Sequence, residues 1–219
     1  MHTVLCYGDS LTWGVNAHTG GRHRHEDRWP SVLEAGLGGG AVVVNAGLNG
    51  RTTMFDDYGV AADRNGVRVL PTILATFEPI DVVVFMLGTN DLKTFVSGSA
   101  VAVAQGVKRL VEIARSTPQS EAVPAPGIVV VSPPEPLSLG PIPSFPLLSP
   151  RTAEWGALAP GLGQLCRDLS VGFFDAATVA SAAGGGDGIH LDVPNTRAIG
   201  AALVPVVADM LAQREARAA

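Results

Sequence analysis

The sequence DVVVFMLGTND at residues 81–91 is a clear indicator of the fold class. Its apolar run does not alternate with polar residues, and similar runs occur at residues 42–44 and 129–131. Continuously apolar strands are typical of a parallel sheet that helices cover on both faces. The polar, glycine-containing segment at residues 88–91 follows the strand directly, at the edge where such sheets bind ligands.

Outward from this stretch, short β-branched runs alternate with longer helical patterns. This alternation predicts one α/β domain over residues 1–219, a three-layer sandwich of a five-stranded parallel sheet with helices on both faces. One helix is expected to break near Pro160 because proline removes a helical hydrogen bond. The predicted strands span residues 3–7, 41–45, 81–87, 128–131 and 171–174, and the predicted helices span residues 29–37, 65–77, 100–115, 153–169 and 195–217.

Composition excludes several classes of protein. Hydrophobic residues make up 47% of the 219 residues and charged residues 16%, which excludes disorder over any large fraction. The net charge is −5 with no basic patch, so no nucleic-acid partner is expected. No secretory leader or membrane span is evident, and we expect a cytoplasmic protein without membrane contact. Cys6 and Cys166 are expected to be two separate buried thiols.

Two stretches look irregular. Residues 17–27 form a polar loop with three histidines, for which a solvated loop is favoured over a metal site because little geometry is imposed on them. Residues 132–150 are rich in proline and cannot form a regular helix or strand. Within that stretch, Phe145 and Leu147 are expected to cap the site or to contact another subunit. The histidines are His18, His23 and His25.

Polar side chains follow several of the predicted strands. Ser10 follows the first strand, Gly50 lies in the loop after the second, and Asn90 follows the third. Asp187 and His190 lie beyond the fifth strand, three residues apart. Because parallel strands end at one edge of the sheet, we expect these loops to converge there.

These residue types together match the needs of acyl transfer. A serine hydroxyl such as Ser10 becomes nucleophilic when an imidazole, here His190, takes its proton. A carboxylate, here Asp187, fixes the tautomer of that imidazole. The N–H groups of Ser10 and Gly50, with the amide of Asn90, can form an oxyanion hole. Asp9 and Asp91 are interpreted as structural acids that accept hydrogen bonds from loop N–H groups.

The same residues resemble the four sequence blocks of the SGNH (GDSL) hydrolases. The blocks are GDSL at residues 8–11, Gly50, GTND at residues 88–91 and DGIH at residues 187–190, in the order of the family. The resemblance covers essentially the whole chain. It implies a catalytic triad of Ser10, Asp187 and His190 and an oxyanion hole of Ser10, Gly50 and Asn90. The longer strings GDSLTWG and MLGTND resemble the bacterial arylesterase and acyltransferase branch, which implies a flavodoxin-like sheet and no cofactor or metal.

The expected function is hydrolysis of short-chain acyl esters, such as aryl or alkyl acetates, through an acyl-enzyme on Ser10. Transfer of the acyl group to an alcohol is a second expectation, and a homo-oligomer a third. Trp13, Leu11 and Ile189 are expected either to line the substrate pocket or to pack in the core. Two alternatives stay open, a carbohydrate acetylesterase and, from a different class, a non-catalytic binding module that kept the fold.

Overall fold

A five-stranded parallel sheet forms the centre of the molecule, with the strand order β2-β1-β3-β4-β5. The structure is a computed structural model that describes residues 1–119, 123–137, 152–182 and 186–218. The predicted strands and the α/β class are confirmed, with shifts of one or two residues at the strand ends. The strands are β1 (His2–Gly8), β2 (Ala41–Gly47), β3 (Val82–Met86), β4 (Gly127–Ser132) and β5 (Gly172–Asp175).

Helices connect the strands and cover both faces of the sheet. Short 3-10 helices also occur at His25–Asp27 and Ala176–Thr178. Among the described residues, no helix is long and apolar enough to span a membrane. The α-helices are α1 (Ser10–Trp13), α2 (Trp29–Gly36), α3 (Gly66–Phe77), α4 (Ala100–Ser116), α5 (Thr152–Leu169) and α6 (Val193–Ala218).

Two hydrophobic clusters lie on opposite faces of the sheet. In β3, Val83 and Phe85 pack against α3, α4 and α5, while Val82 and Val84 pack against α2 and α6. Successive side chains of a strand point to opposite faces, so a continuously apolar strand contributes to both clusters. Cys6 and Cys166 belong to different clusters and are free thiols, as predicted.

Helix α5 differs from the prediction, because it continues through Pro160 without a break. The predicted break was therefore wrong. Proline leaves the carbonyl four residues earlier without its helical donor, and that carbonyl belongs to Gly156. Gly156 and Pro160 both lie on the exposed side of α5, where water can satisfy the carbonyl. The opposite side of the helix is held in the core by Trp155, Leu158 and Leu162.

Candidate active site

Ser10 begins α1 directly after β1, at the carboxyl edge of the sheet. The preceding Asp9 caps this short helix, since its Oδ1 accepts a hydrogen bond from Leu11 N at 2.9 Å. The turn is tight: a Cβ atom on Gly8 would lie 2.0 Å from Thr12 Oγ1 and 2.7 Å from Met86 O. Only glycine fits at residue 8, so the GDS sequence presents Ser10 at the strand end.

A continuous chain of hydrogen bonds joins Ser10 to two residues that lie far away in sequence. His190 Nε2 lies 2.9 Å from Ser10 Oγ. On the other side of the ring, His190 Nδ1 lies 2.5 Å from Asp187 Oδ2. Asp187 Oδ1 also accepts hydrogen bonds from the backbone N–H groups of Ile189 and His190, at 2.9 and 2.8 Å. Asp187 therefore shapes the turn that carries His190 as well as contacting its ring.

The Asp187 carboxyl is held in its ionised form. Burial alone would raise its pKa, but hydrogen bonds from the His190 ring and from two backbone N–H groups outweigh burial, so the pKa lies below 3.8. An ionised carboxylate beside Nδ1 keeps the proton there and leaves Nε2 free to accept the proton of Ser10.

The two backbone N–H groups of the predicted oxyanion hole have no acceptor among the described residues. Neither Ser10 N–H nor Gly50 N–H donates a hydrogen bond to any residue that the structure describes. Gly50 has φ +80°, in the left-handed region that glycine adopts without strain. N–H groups without an acceptor are available as the donors that an oxyanion needs.

The Asn90 side chain is already engaged in the free structure. Its Nδ2 donates to Asp9 Oδ2 and to the Arg51 carbonyl, both at 3.2 Å. Both distances are at the long end of the normal range. Asn90 can therefore donate to an oxyanion by sharing or giving up one of these bonds, a feature that sequence blocks do not reveal.

Two buried carboxyls support the loops behind Ser10, in line with the interpretation of Asp9 and Asp91 as structural acids. The Thr53 N–H is shared between the two oxygens of Asp91, each 3.0 Å from the nitrogen, and Oδ1 also accepts a hydrogen bond from Thr53 Oγ1. Burial raises the pKa of Asp9 from 3.8 to about 6 and that of Asp91 to about 7. Asp9 links the nucleophile turn to Asn90, and Asp91 links the Asn90 loop to the loop after β2.

Arg51 is a buried support that sequence reasoning left without a role. Its guanidinium lies over the Tyr7 ring, 3.9 Å from the ring centroid, and donates to the Gly8 and Ala46 carbonyls. It thereby ties the ends of β1 and β2 together. The position of Arg51-Thr52-Thr53 directly after Gly50 was the feature of the sequence that could have indicated this supporting role.

The predicted pocket residues have different environments. Leu11 is buried in the cluster beside α2 and α6, and Ile189 is half-buried against the opposite cluster. Trp13 is half-buried, with the Arg22 guanidinium 4.5 Å from its ring centroid. Their contact with substrate stays a prediction, as does the role of Phe145 and Leu147, which lie outside the described residues.

The histidine-containing loop at residues 17–27 is only partly solvated. His18 and His25 are exposed as expected, but His23 is 3% exposed, so its assignment to a solvated loop was wrong. The His23 ring lies 3.0 Å from Leu191 O through Nε2 and 3.3 Å from Asn16 Nδ2 through Nδ1. These hydrogen bonds compensate the burial of its polar ring and attach the loop to the chain just after His190.

Comparison with known proteins gives a consistent result. Residues 6–194 match the model of the GDSL-like lipase/acylhydrolase family. No protein with a curated description matches the chain. A carbohydrate acetylesterase family member from Sinorhizobium meliloti is similar over 97% of this chain and 100% of its own, with 48% identity and a TM-score of 0.91.

Two further solved structures are described as arylesterases. A putative arylesterase from Agrobacterium tumefaciens has 44% identity and a TM-score of 0.89, over 96% of this chain and 100% of its own. The aryl esterase of M. smegmatis has 37% identity and a TM-score of 0.88, again over 96% of this chain and 100% of its own.

Proposed function

The chain belongs to the GDSL-like lipase/acylhydrolase family and is a carboxylic ester hydrolase, and we propose that it works as a serine esterase through an acyl-enzyme on Ser10. The observation that carries this proposal is the hydrogen-bond chain from Ser10 Oγ through the His190 ring to Asp187. The hydroxyl, the base and the orienting carboxylate come from two distant segments and meet at the sheet edge.

In the first half of the reaction, Ser10 Oγ attacks the ester carbonyl carbon while His190 Nε2 takes its proton. The Asp187 carboxylate stabilises the resulting imidazolium. The tetrahedral intermediate then collapses, the bond to the alcohol oxygen breaks, and His190 returns the proton to the leaving alcohol. The products of this half are the free alcohol and an acyl group esterified to Ser10.

The negative charge of the intermediate falls on the former carbonyl oxygen. We assign its stabilisation to the N–H groups of Ser10 and Gly50 and to the Asn90 amide. The two backbone donors are available for this role because neither has an acceptor in the described chain. In the second half, water or an alcohol gives its proton to His190 and attacks the acyl carbon. The bond from that carbon to Ser10 Oγ then breaks, His190 returns the proton to Ser10, and the acid or a new ester leaves.

The proposed nucleophile can be tested by covalent labelling. A fluorophosphonate should label the wild-type protein and not Ser10→Ala, which should also lose hydrolysis of p-nitrophenyl acetate. Ser31→Ala is a matched control, since Ser31 Oγ also lies near a histidine ring, 3.4 Å from His25 Nε2, but on the surface. This control should keep both labelling and activity. Normal hydrolysis by Ser10→Ala would refute the proposal.

For the substrate, we propose short-chain acyl esters of phenols and simple alcohols. Two of the similar structures are described as arylesterases, which supports this class. Catalytic efficiency across p-nitrophenyl esters should be highest for acetate or propionate and should fall with longer chains. An optimum at long acyl chains would exclude this substrate class. Transfer to alcohols is tested in aqueous alcohol by the ratio of new ester to acid, and acid as the sole product would exclude it.

Deacetylation of carbohydrates is the second candidate function. The relative with 48% identity is described as a carbohydrate acetylesterase family member. Comparing acetylated xylose with phenyl acetate separates the two candidates by catalytic efficiency. The non-catalytic alternative is disfavoured, because Ser10, His190 and Asp187 are all present and in contact. The homo-oligomer and the cytoplasmic location stay predictions; light scattering after gel filtration and cell fractionation test them.

A further inference from the structure

A hairpin at residues 14–23 contacts both helix α1 and the turn at residues 187–191. Its arms are joined by a hydrogen bond from Asn16 N to Gly21 O at 2.8 Å, and His23, in its second arm, is 3% exposed. The proposed mechanism uses none of the residues of this hairpin. A buried polar side chain in a segment that contacts both halves of the catalytic site therefore needs an explanation.

The 14–23 hairpin begins at the backbone of the proposed nucleophile. Gly14 caps the end of α1 with φ +97°, in the left-handed region that glycine adopts without strain. The N–H groups of Gly14 and Val15 both donate to the Ser10 carbonyl, at 2.9 and 3.0 Å. A displacement of the first arm of the hairpin would therefore be transmitted directly to Ser10.

The second contact of the hairpin is with the turn that carries His190. Ala17 N donates to Leu191 O at 3.3 Å, and Asp187 N donates to Ala17 O at 3.1 Å. The packing is close, because a Cβ atom on Gly186 would lie 2.8 Å from Ala17 Cβ. Both ends of the turn are therefore bound to one residue of the hairpin.

The His23 ring adds a side-chain bond to the same turn. Leu191 O can only accept, so His23 Nε2, 3.0 Å away, carries the proton and donates it. Nδ1 then accepts from Asn16 Nδ2 at 3.3 Å. The Asn16 amide is fixed in this orientation because its Oδ1 accepts from His18 N and Thr19 N, at 2.9 and 3.3 Å. Both ring nitrogens are used, so the ring is held in one orientation against Leu191.

The two halves of the catalytic site need such a connection. Asp187 and His190 are three residues apart and are held together by local hydrogen bonds. Ser10 comes from a segment 180 residues away, and its Oγ lies 2.9 Å from His190 Nε2. A misplacement of about 1 Å between reacting groups can cost on the order of 100-fold in rate. The distance between Ser10 and His190 is therefore the part of the geometry that the turn itself cannot fix.

We propose that the 14–23 hairpin sets the distance between Ser10 Oγ and His190 Nε2, and that His23 is a positioning residue that acts through Leu191. This inference rests on the proposed esterase function and deepens it. His23 touches neither substrate nor the reacting atoms. Its effect falls on proton transfer between Ser10 and His190, so kcat and kcat/KM should fall together while KM stays the same.

The test replaces His23 by three different side chains. His23→Leu removes both ring nitrogens and should lower kcat for p-nitrophenyl acetate about 10- to 100-fold, with KM within about twofold. The amide nitrogen of His23→Gln takes the place of Nε2 and can still donate to Leu191 O, so kcat should return to within about threefold of the wild type. The shorter amide of His23→Asn reaches only the position of Nδ1, so this variant should keep the loss seen in His23→Leu.

His25→Leu is the matched control, since His25 lies two residues further along the chain but is exposed. It should keep the wild-type kcat, and melting curves should show which variants are folded at the assay temperature. Asn16→Ala leaves the His23 ring in place and serves where a change at residue 23 prevents folding. Without the amide that orients the ring, kcat should fall about three- to tenfold. Equal kcat in folded His23→Gln and His23→Asn, a raised KM at unchanged kcat, or wild-type kcat in Asn16→Ala would overturn the proposal.

Covalent labelling distinguishes a failure of this proposal from a failure of the esterase mechanism. A fluorophosphonate should label Ser10 of the wild type rapidly and that of His23→Leu more slowly, by a factor similar to the loss of kcat. Equal labelling rates in the two proteins, with an active wild type, refute the role of the hairpin alone. A wild type that is neither labelled nor able to cleave p-nitrophenyl acetate refutes the serine-esterase proposal, and the role of the hairpin with it.

Discussion

Asp187 and the pair Asp9 and Asp91 are carboxyls at the same edge of the sheet, but in opposite environments. The Asp187 side chain is 28% exposed, and hydrogen bonds keep its pKa below 3.8. Asp9 and Asp91 are completely buried, and burial raises their pKa values to about 6 and about 7. Near neutral pH, Asp187 is ionised beside an imidazole, whereas Asp9 and Asp91 change their protonation state.

This difference indicates a division of work within one site. A carboxylate that must stabilise a charge developing on His190 needs to be ionised throughout the working pH range. Carboxyls that hold loops need hydrogen bonds more than charge, and Asp9 and Asp91 make theirs to Leu11 N, Asn90 Nδ2 and Thr53. In the proposed mechanism, Asp187 is the orienting acid and Asp9 and Asp91 are supporting acids, and variants can test each side of this comparison.

The largest effect is expected from Asp187→Asn. The amide would present an N–H to His190 Nδ1 and favour the wrong tautomer, so kcat should fall by about 10³- to 10⁴-fold. Asp192→Asn is the matched control, since Asp192 lies in the same loop and bonds Asn195, not His190. It should keep kcat within a few-fold. Steady-state kinetics on p-nitrophenyl acetate measure kcat for both variants. Similar losses of kcat in the two would show that Asp187 has no special role beside His190.

Asn90→Ala tests the group that Asp9 supports. Losing one oxyanion donor should lower kcat by about 100- to 1,000-fold, with a small change in KM. Circular dichroism and a melting curve should show that the variant is folded. A loss below tenfold would mean that the backbone N–H groups of Ser10 and Gly50 hold the oxyanion without the amide.

Asp9→Asn and Asp91→Asn compare the two supporting acids with each other. Asp9 contacts Asn90 directly, so an amide at residue 9 would face the Asn90 NH₂ group and let it turn away. We expect kcat to fall on the order of tenfold in Asp9→Asn, consistent with one misdirected hydrogen bond. Asp91 contacts Thr53, so Asp91→Asn should stay within about threefold. Equal losses of kcat would show that Asp9 has no special link to Asn90.

The last prediction concerns stability as a function of pH. The folded pKa values of Asp9 and Asp91 lie above the unfolded value, so the folded state holds more protons between about pH 4 and pH 7. The free energy of unfolding should therefore fall as pH rises through this window, by up to about 1.4 kcal/mol per pH unit for each carboxyl.

The contribution of Asp187 to the free energy of unfolding changes with pH in the opposite direction, because its pKa is lowered in the folded state. This contribution is lost only as pH falls below the ordinary pKa of the carboxyl. Urea unfolding at several pH values measures the slope between pH 4 and pH 7. Asp91→Asn should make the slope shallower, and Asp187→Asn should leave it unchanged in this window. A wild-type slope of zero or of the opposite sign would contradict the raised pKa values.

Much of the fold was predictable because its signals are local. The apolar run before Gly88 predicts that β3 lies in a sheet covered on both faces. This prediction does not require knowing which residues pack against the strand. Pro160 was misleading for a tertiary reason: its effect on α5 depends on which side of the helix faces water. His23 was misleading in the same way, since a polar residue in a polar loop became buried once the loop packed near Leu191.

The order of the reactive groups could be read from the sequence: a serine after the first strand, an amide after the third, and an acid and a histidine near the end. This was possible because strand ends and turns follow from local residue patterns, and the family blocks mark them. The protonation of the carboxyls and the hydrogen-bond partners of the side chains became known only from the tertiary structure. Burial raised the pKa of Asp9, and Asn90 came to donate a hydrogen bond to Asp9, because solvation and hydrogen bonding depend on neighbours that are distant in sequence.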